Sequence, residues 1–122
     1  MQDVTELRIY ENALKLLPQI YALAHKLPKN EYELKSQLCN SAKAISAQIA
    51  EGFAKKDSQA KFKRFLYMAL GSSDETITHI RQIKILFPNM AKDCALLIEE
   101  YKSESKQINA MIQKIRNPTS EV

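Results

Sequence analysis

A chain of 122 residues with 45% hydrophobic and 26% charged side chains has the ordinary make-up of one soluble globular domain, with no room for a second core. Two glycines and four prolines are too few for the many turns of an all-β fold and leave a handful of long helices. A net charge of +4 and a pI of about 9.1 permit an anionic partner without demanding one.

Asp3, Glu6, Arg8, Glu11 and Lys15 interrupt the first twenty residues, so no signal-type apolar core forms there, and nothing approaches a membrane span. No membrane role and a cytoplasmic location are expected. Cys39 and Cys94 are the only cysteines. They are expected to be reduced, buried thiols.

The first predicted helix spans about Thr5 to Lys26. Leu7, Tyr10, Leu14, Leu17, Tyr21 and Ala24 recur at 3-4-3-4-3 spacing and share one face. Ile9, Ala13, Leu16, Ile20, Leu23 and Leu27 make a second stripe beside it. Two stripes predict a wide buried face that includes a partner subunit. Pro18 removes the hydrogen bond to the Leu14 carbonyl and predicts a kink.

The second helix spans about Asn30 to Phe53. Leu34, Leu38, Ser41, Ile45, Gln48 and Gly52 keep heptad spacing, with Ala42, Ile49 and Phe53 alongside. Ser36, Ala44, Ser46, Ala47 and Ala50 add to a surface of small side chains that lets a neighbouring helix come close. The connection Ala54-Lys55-Lys56-Asp57 follows, with Asp57 or Ser58 as the cap of the third helix.

In the third helix Phe62, Leu66, Ala69, Ser73, Thr76, Ile80, Ile83 and Phe87 recur every three or four residues, up to Pro88-Asn89. The fourth helix runs from about Asn89 to Arg116. Its stripe is Ala91, Cys94, Ile98, Tyr101, Ser105, Ile108, Ile112 and Ile115, and Asn117-Pro118 ends it. A loose tail is expected from about residue 117. Four long helices with short connections predict an all-α fold, an antiparallel up-down-up-down four-helix bundle over residues 1–122.

Ile49-Ala50-Glu51-Gly52, followed by Phe62, Phe65-Leu66, Ala69, Gly71-Ser72 and Glu75, resembles the four-helix bundle family that includes the 23S rRNA intervening-sequence proteins. Leu7, Tyr10, Ala13 and Leu14 extend the likeness, as do Pro28, Glu31, Leu34 and Ser36-Gln37-Leu38. The resemblance implies an up-down bundle, assembly as a homopentamer and no enzymatic activity. It also implies kinship with accessory proteins of retroelement reverse transcriptases, in which a basic pentameric barrel binds nucleic acid. Cys39 and Asn40 stand where the family usually carries basic residues, and Lys43 where it is usually apolar.

The densest positive charge is Lys55, Lys56, Lys61, Lys63 and Arg64, opposed only by Asp57. Such a cluster grips phosphates or simply forms a solvated face. Phe62 and Phe65 fall on the core side of the helix, so stacked bases are not expected and binding would be independent of sequence. Glu51 and Glu75 lack the neighbours that acid–base catalysis needs and are expected to be buried or half-buried acids accepting hydrogen bonds. In the motif, Gly52, Phe65, Leu66, Gly71 and Ser72 are expected to be structural, each glycine allowing close backbone approach or a helix-end conformation that a side chain would disturb. His79 follows Glu75 at the wrong spacing for a di-metal bundle site, so neither metal nor cofactor is expected.

Two functions follow. One is a non-enzymatic homo-oligomer that binds RNA, DNA or a nucleic-acid enzyme through its basic surface. The other is a scaffold that recruits a protein partner.

Overall fold

The computed structural model describes residues 3–115. Four helices, α1 (Arg8–His25), α2 (Tyr32–Ala54), α3 (Gln59–Leu86) and α4 (Ala91–Lys114), carry the fold, with no strand among the described residues. Each packs on its neighbours in the order α1, α2, α3, α4, and α4 closes back on α1. Side-chain pairs fix the antiparallel sense. Thr76 on α3 meets Ser41 on α2 while the earlier Ser72 meets the later Gln48. Asn12 on α1 meets Gln107 on α4, and Lys26 meets Asp93. This is the up-down-up-down arrangement that the periodicity predicts.

The helix ends differ from the expected ones by short 3-10 turns. Val4–Glu6 forms one, capped by Asp3, whose carboxylate accepts from the Thr5 backbone N–H at 3.0 Å and from its hydroxyl at 3.0 Å. The α-helix therefore starts at Arg8 rather than Thr5. Lys29–Glu31 and Pro88–Met90 form two more, each near a proline that cannot extend the preceding helix. Ser58, not Asp57, caps α3: its hydroxyl accepts from the Lys61 N–H at 3.2 Å. The tail expected from about residue 117 lies outside the described residues.

α1 runs unbroken across Pro18. That proline and Leu14 both lie toward solvent, where water can serve the carbonyl left without a donor.

The core is aliphatic. Ile20, Leu38, Ile45, Ile49, Leu66, Ile80, Ile83, Ile108 and Ile112 are completely buried around Tyr101. Each such aliphatic residue contributes about 1.5–3 kcal/mol through its removal from water. Of the two α1 stripes, Ile9, Ala13, Leu16, Ile20, Leu23 and Leu27 are all buried. The other is split: Leu7 and Ala24 are buried, but Leu14 and Tyr21 stay exposed on this single chain.

Small residues matter most between α2 and α3. A β-carbon on Gly52 would stand 2.8 Å from the Phe65 β-carbon, so only glycine lets the helices meet there. Gly71 is different. It is exposed, and nothing lies within 4 Å of a β-carbon built on it. The expectation of close approach or a helix end at both glycines therefore fails at Gly71, which lies within α3. The cause is angular: it lies two residues, about 200° of helix, beyond buried Ala69.

Hydroxyls tie the middle of the bundle. Thr76 donates to Ser41 at 2.9 Å, and Ser72 donates to Gln48 at 2.8 Å. Ser105 Oγ lies 2.8 Å from Ser73 Oγ and 2.8 Å from the Asp74 carboxylate. These bonds satisfy polar groups that the fold places at or near the core.

Candidate nucleic-acid interface

The α2–α3 corner is built from two buried phenylalanine layers. Phe53 ends the apolar face of α2 and Phe62 begins that of α3. Their rings meet edge to face, with centroids 6.3 Å apart and planes at 86°. Between them the chain turns through Lys55–Ser58. The Lys55 N–H donates to the Gly52 carbonyl, the Lys56 N–H to Phe53, and the Ser58 N–H to Lys55. The close approach at Gly52 allows this corner to be so short.

The turn and the first two turns of α3 bring Lys55, Lys56, Lys61, Lys63 and Arg64 to one end of the bundle. All are exposed except Lys63, which is half-buried. Three rest on the aromatic layer. The Lys56 ammonium lies 4.4 Å from the centre of the Phe53 ring. The Lys55 ammonium and the Arg64 guanidinium lie 5.1 Å and 5.4 Å from the centre of Phe65. None of the five forms an ion pair among the described residues, and neighbouring Asp57 is exposed.

This arrangement has a chemical consequence. A cation over a ring face is attracted by the ring quadrupole yet keeps N–H donors for another acceptor. The rings limit the freedom of these side chains, so less is lost when they meet an anion. Phe53, Phe62 and Phe65 are themselves buried, as their place on the core face predicts. They hold cations and offer no stacking platform to a base.

The other motif residues separate. Leu66 and Gly52 are buried in the core, and Ser72 is half-buried beside Gln48. Glu51 and Glu75 are exposed, contrary to the expectation of buried acids. Each lies two residues beyond a buried position, Ile49 and Ser73, and so turns toward solvent. Glu75 pairs with buried His79 at 3.1 Å, and the other ring nitrogen of His79 lies 3.1 Å from the Gln82 amide oxygen.

The acid that the core does take in is Glu104 of α4, at 1% exposure. Neither of its oxygens has a hydrogen-bond partner, and burial pushes its pKa up to about 8. The Tyr101 hydroxyl is likewise buried and unpaired, and its pKa is raised chiefly by burial and then by the Glu104 charge. Cys94 is buried but Cys39 only half-buried, so the expectation of two buried thiols holds for one of them. Both are free, and burial raises both thiol pKa values.

The described residues contain no group of three or more His, Cys, Asp or Glu placed to hold a metal ion. None of the described helices is long and apolar enough to cross a membrane.

No curated protein matches the sequence. A family model described as "23S rRNA-intervening sequence protein" matches residues 5–114, the whole of the four-helix bundle. With that match spanning most of its length, the chain belongs to the 23S rRNA-intervening sequence protein family.

Proposed function

We propose that this protein is a non-enzymatic, homo-oligomeric bundle that binds RNA or DNA without reading its bases. The observation that carries the reading is the α2–α3 corner. Five cations are gathered there without an ion pair among the described residues, and Lys55, Lys56 and Arg64 are steadied over Phe53 and Phe65. Phosphate oxygens would accept hydrogen bonds from these groups, and counterion release would supply most of the affinity. Membership of the 23S rRNA-intervening sequence protein family, whose name refers to ribosomal RNA, supports a nucleic-acid role.

One corner alone is a weak site. Several copies held in a ring would present several corners to one polyanion and multiply their effect. Exposed Leu14 and Tyr21 on α1, and Tyr67 and Met68 beside Gly71 on α3, offer apolar surface for such contacts. The resemblance implies five subunits. Light scattering should then give a mass near five times the 14.0 kDa protomer. A protomer-sized particle at micromolar concentration would overturn the assembly.

Replacing Lys55, Lys56 and Lys63 together by Glu tests the binding surface. RNA and DNA affinity should fall alike, with helical content and particle mass unchanged. Unaltered affinity would remove the corner from the interface.

A protein-recruiting scaffold is the second reading. It is favoured by the opposite end of the bundle, where Tyr32, Ile85 and Leu86 are 73%, 78% and 58% exposed around a shallow groove. Recovery of a single protein partner without nucleic acid would support it. A nucleic-acid enzyme as that partner would join the two readings.

A further inference from the structure

α1 and α4 are the least closely packed neighbours in the bundle. Three depressions lie along their seam, the central one joined to its neighbours through Gln19 and Gln107. Asn12, Lys15 and Gln19 of α1 line the central depression, facing Glu100, Ser103 and Gln107 of α4. Glu104 belongs to the same lining, almost wholly buried, with both oxygens closed off from solvent and unpartnered among the described residues, so a ligand reaches them only where the seam opens. An unpaired buried carboxyl is costly, and here it borders open space of about 230 Å³.

We propose that this furrow binds the ammonium or guanidinium group of an organic cation, with Glu104 as its anchoring carboxylate. The chemistry selects the class. With Glu104 ionised, an anion would meet two negative charges, Glu104 and Glu100, and an apolar guest would leave the Glu104 oxygens unpaired. A cation with N–H donors would satisfy those oxygens and the Asn12, Gln19 and Gln107 amide oxygens together. No group of three or more His, Cys, Asp or Glu placed to hold a metal ion exists here among the described residues. The Asn12–Gln107 hydrogen bond across the furrow is long, at 3.4 Å, and would part at little cost.

Lys15 lines the depression but forms no ion pair with Glu104, so it is a competitor within the chain that a ligand must displace. The other titratable groups around the site are Glu100 and Tyr101 on α4 itself. Cys39 of α2 acts on Tyr101, and α3 presents Asp74, which accepts from Ser105. Burial keeps Glu104 largely protonated below about pH 8, so cation binding must expel its proton.

The full chain, labelled with ¹⁵N, is titrated with n-butylammonium chloride, with methylguanidinium chloride, and with a blocked tripeptide carrying one lysine. Saturable shifts at the amides of Asn12, Gln19 and Gln107 are expected. Binding should be at least roughly tenfold tighter at about pH 8.5 than at about pH 6.5, because the carboxylate form becomes populated. Response to the small salts marks a free amine or guanidine as the ligand; response to the peptide alone marks a basic side chain of another protein. Glu104→Gln should abolish the shifts while helical content is retained, and Lys15→Met should tighten binding in the otherwise intact site. The absence of saturable shifts in both the wild-type protein and Lys15→Met, or shifts that survive unchanged in Glu104→Gln, would overturn the proposal.

Discussion

The two seams of the bundle solve the burial of polar groups in opposite ways. Between α2 and α3, small residues bring the backbones together, and Ser41, Ser72 and Thr76 each find a hydrogen-bond partner. Between α1 and α4 the helices stand further apart, and Glu104 is buried with no partner. The tight seam admits polar groups that satisfy one another, mostly short hydroxyls. A loose seam can hold a long acid, because the neighbouring furrow gives water or a ligand a way in. The α2–α3 seam ends in the short corner that carries the basic cluster, so its tightness also positions the candidate interface.

The largest effect that would separate the seams is their response to pH. The Glu104 pKa is raised from 4.5 to about 8 in the folded chain. The unfolded chain therefore loses this proton first, and stability must fall as pH rises from about 4.5 to about 8. The loss from this group is on the order of 5 kcal/mol. Glu104→Gln should remove that slope in denaturant titrations at several pH values. A wild-type slope that persists in the variant would show that the α1–α4 seam does not bury an unpaired acid.

Smaller, but still large, is the effect of crowding the tight seam. Gly52→Ala forces its new methyl against Phe65, with cost of ~1–3 kcal/mol. Gly71→Ala meets no obstacle and should stabilise α3 by ~0.5–1 kcal/mol, the ordinary helix preference of alanine over glycine. Opposite shifts in melting temperature are expected for the two variants. Equal shifts would show that the two glycines do not differ in packing.

The smallest effect belongs to the rim of the loose seam. Lys26 and Asp93 lie 2.7 Å apart with side chains 57% and 51% exposed. Asp93→Ala should leave stability nearly unchanged, since solvent and salt screen such a pair. A larger loss would mean that this contact, rather than apolar packing, holds α4 to α1.

Much of this was legible in the sequence, because helical periodicity reports burial directly. The Phe62-to-Ile83 stripe of α3 and the Leu38-to-Phe53 stripe of α2 predict the core they occupy, with Gln48 half-buried at its edge. Ser58 follows the connection as an N-cap should, and Gly52 falls where a β-carbon does not fit. Glu104 was missed for a definable reason. It lies three residues after Tyr101 and four before Ile108, on the buried side of α4, but a carboxylate there reads as solvent-facing by residue type. Position outweighed polarity. Gly71, Glu51 and Glu75 differ from expectation in the opposite sense: the 100° step per residue turns them outward, a rotation that residue type alone does not report. The Phe rings were rightly placed in the core, but the cations over them depend on the three-dimensional fold of the corner.

The salt dependence of wild-type binding to a fluorescent single-stranded RNA tests the central claim most directly. If the corner holds phosphates, affinity should be greatest at about 50 mM salt and fall linearly on a log–log plot as salt rises, with DNA of equal length giving a similar slope. No binding at about 50 mM salt, or binding indifferent to salt, would contradict the account and leave the protein scaffold in its place.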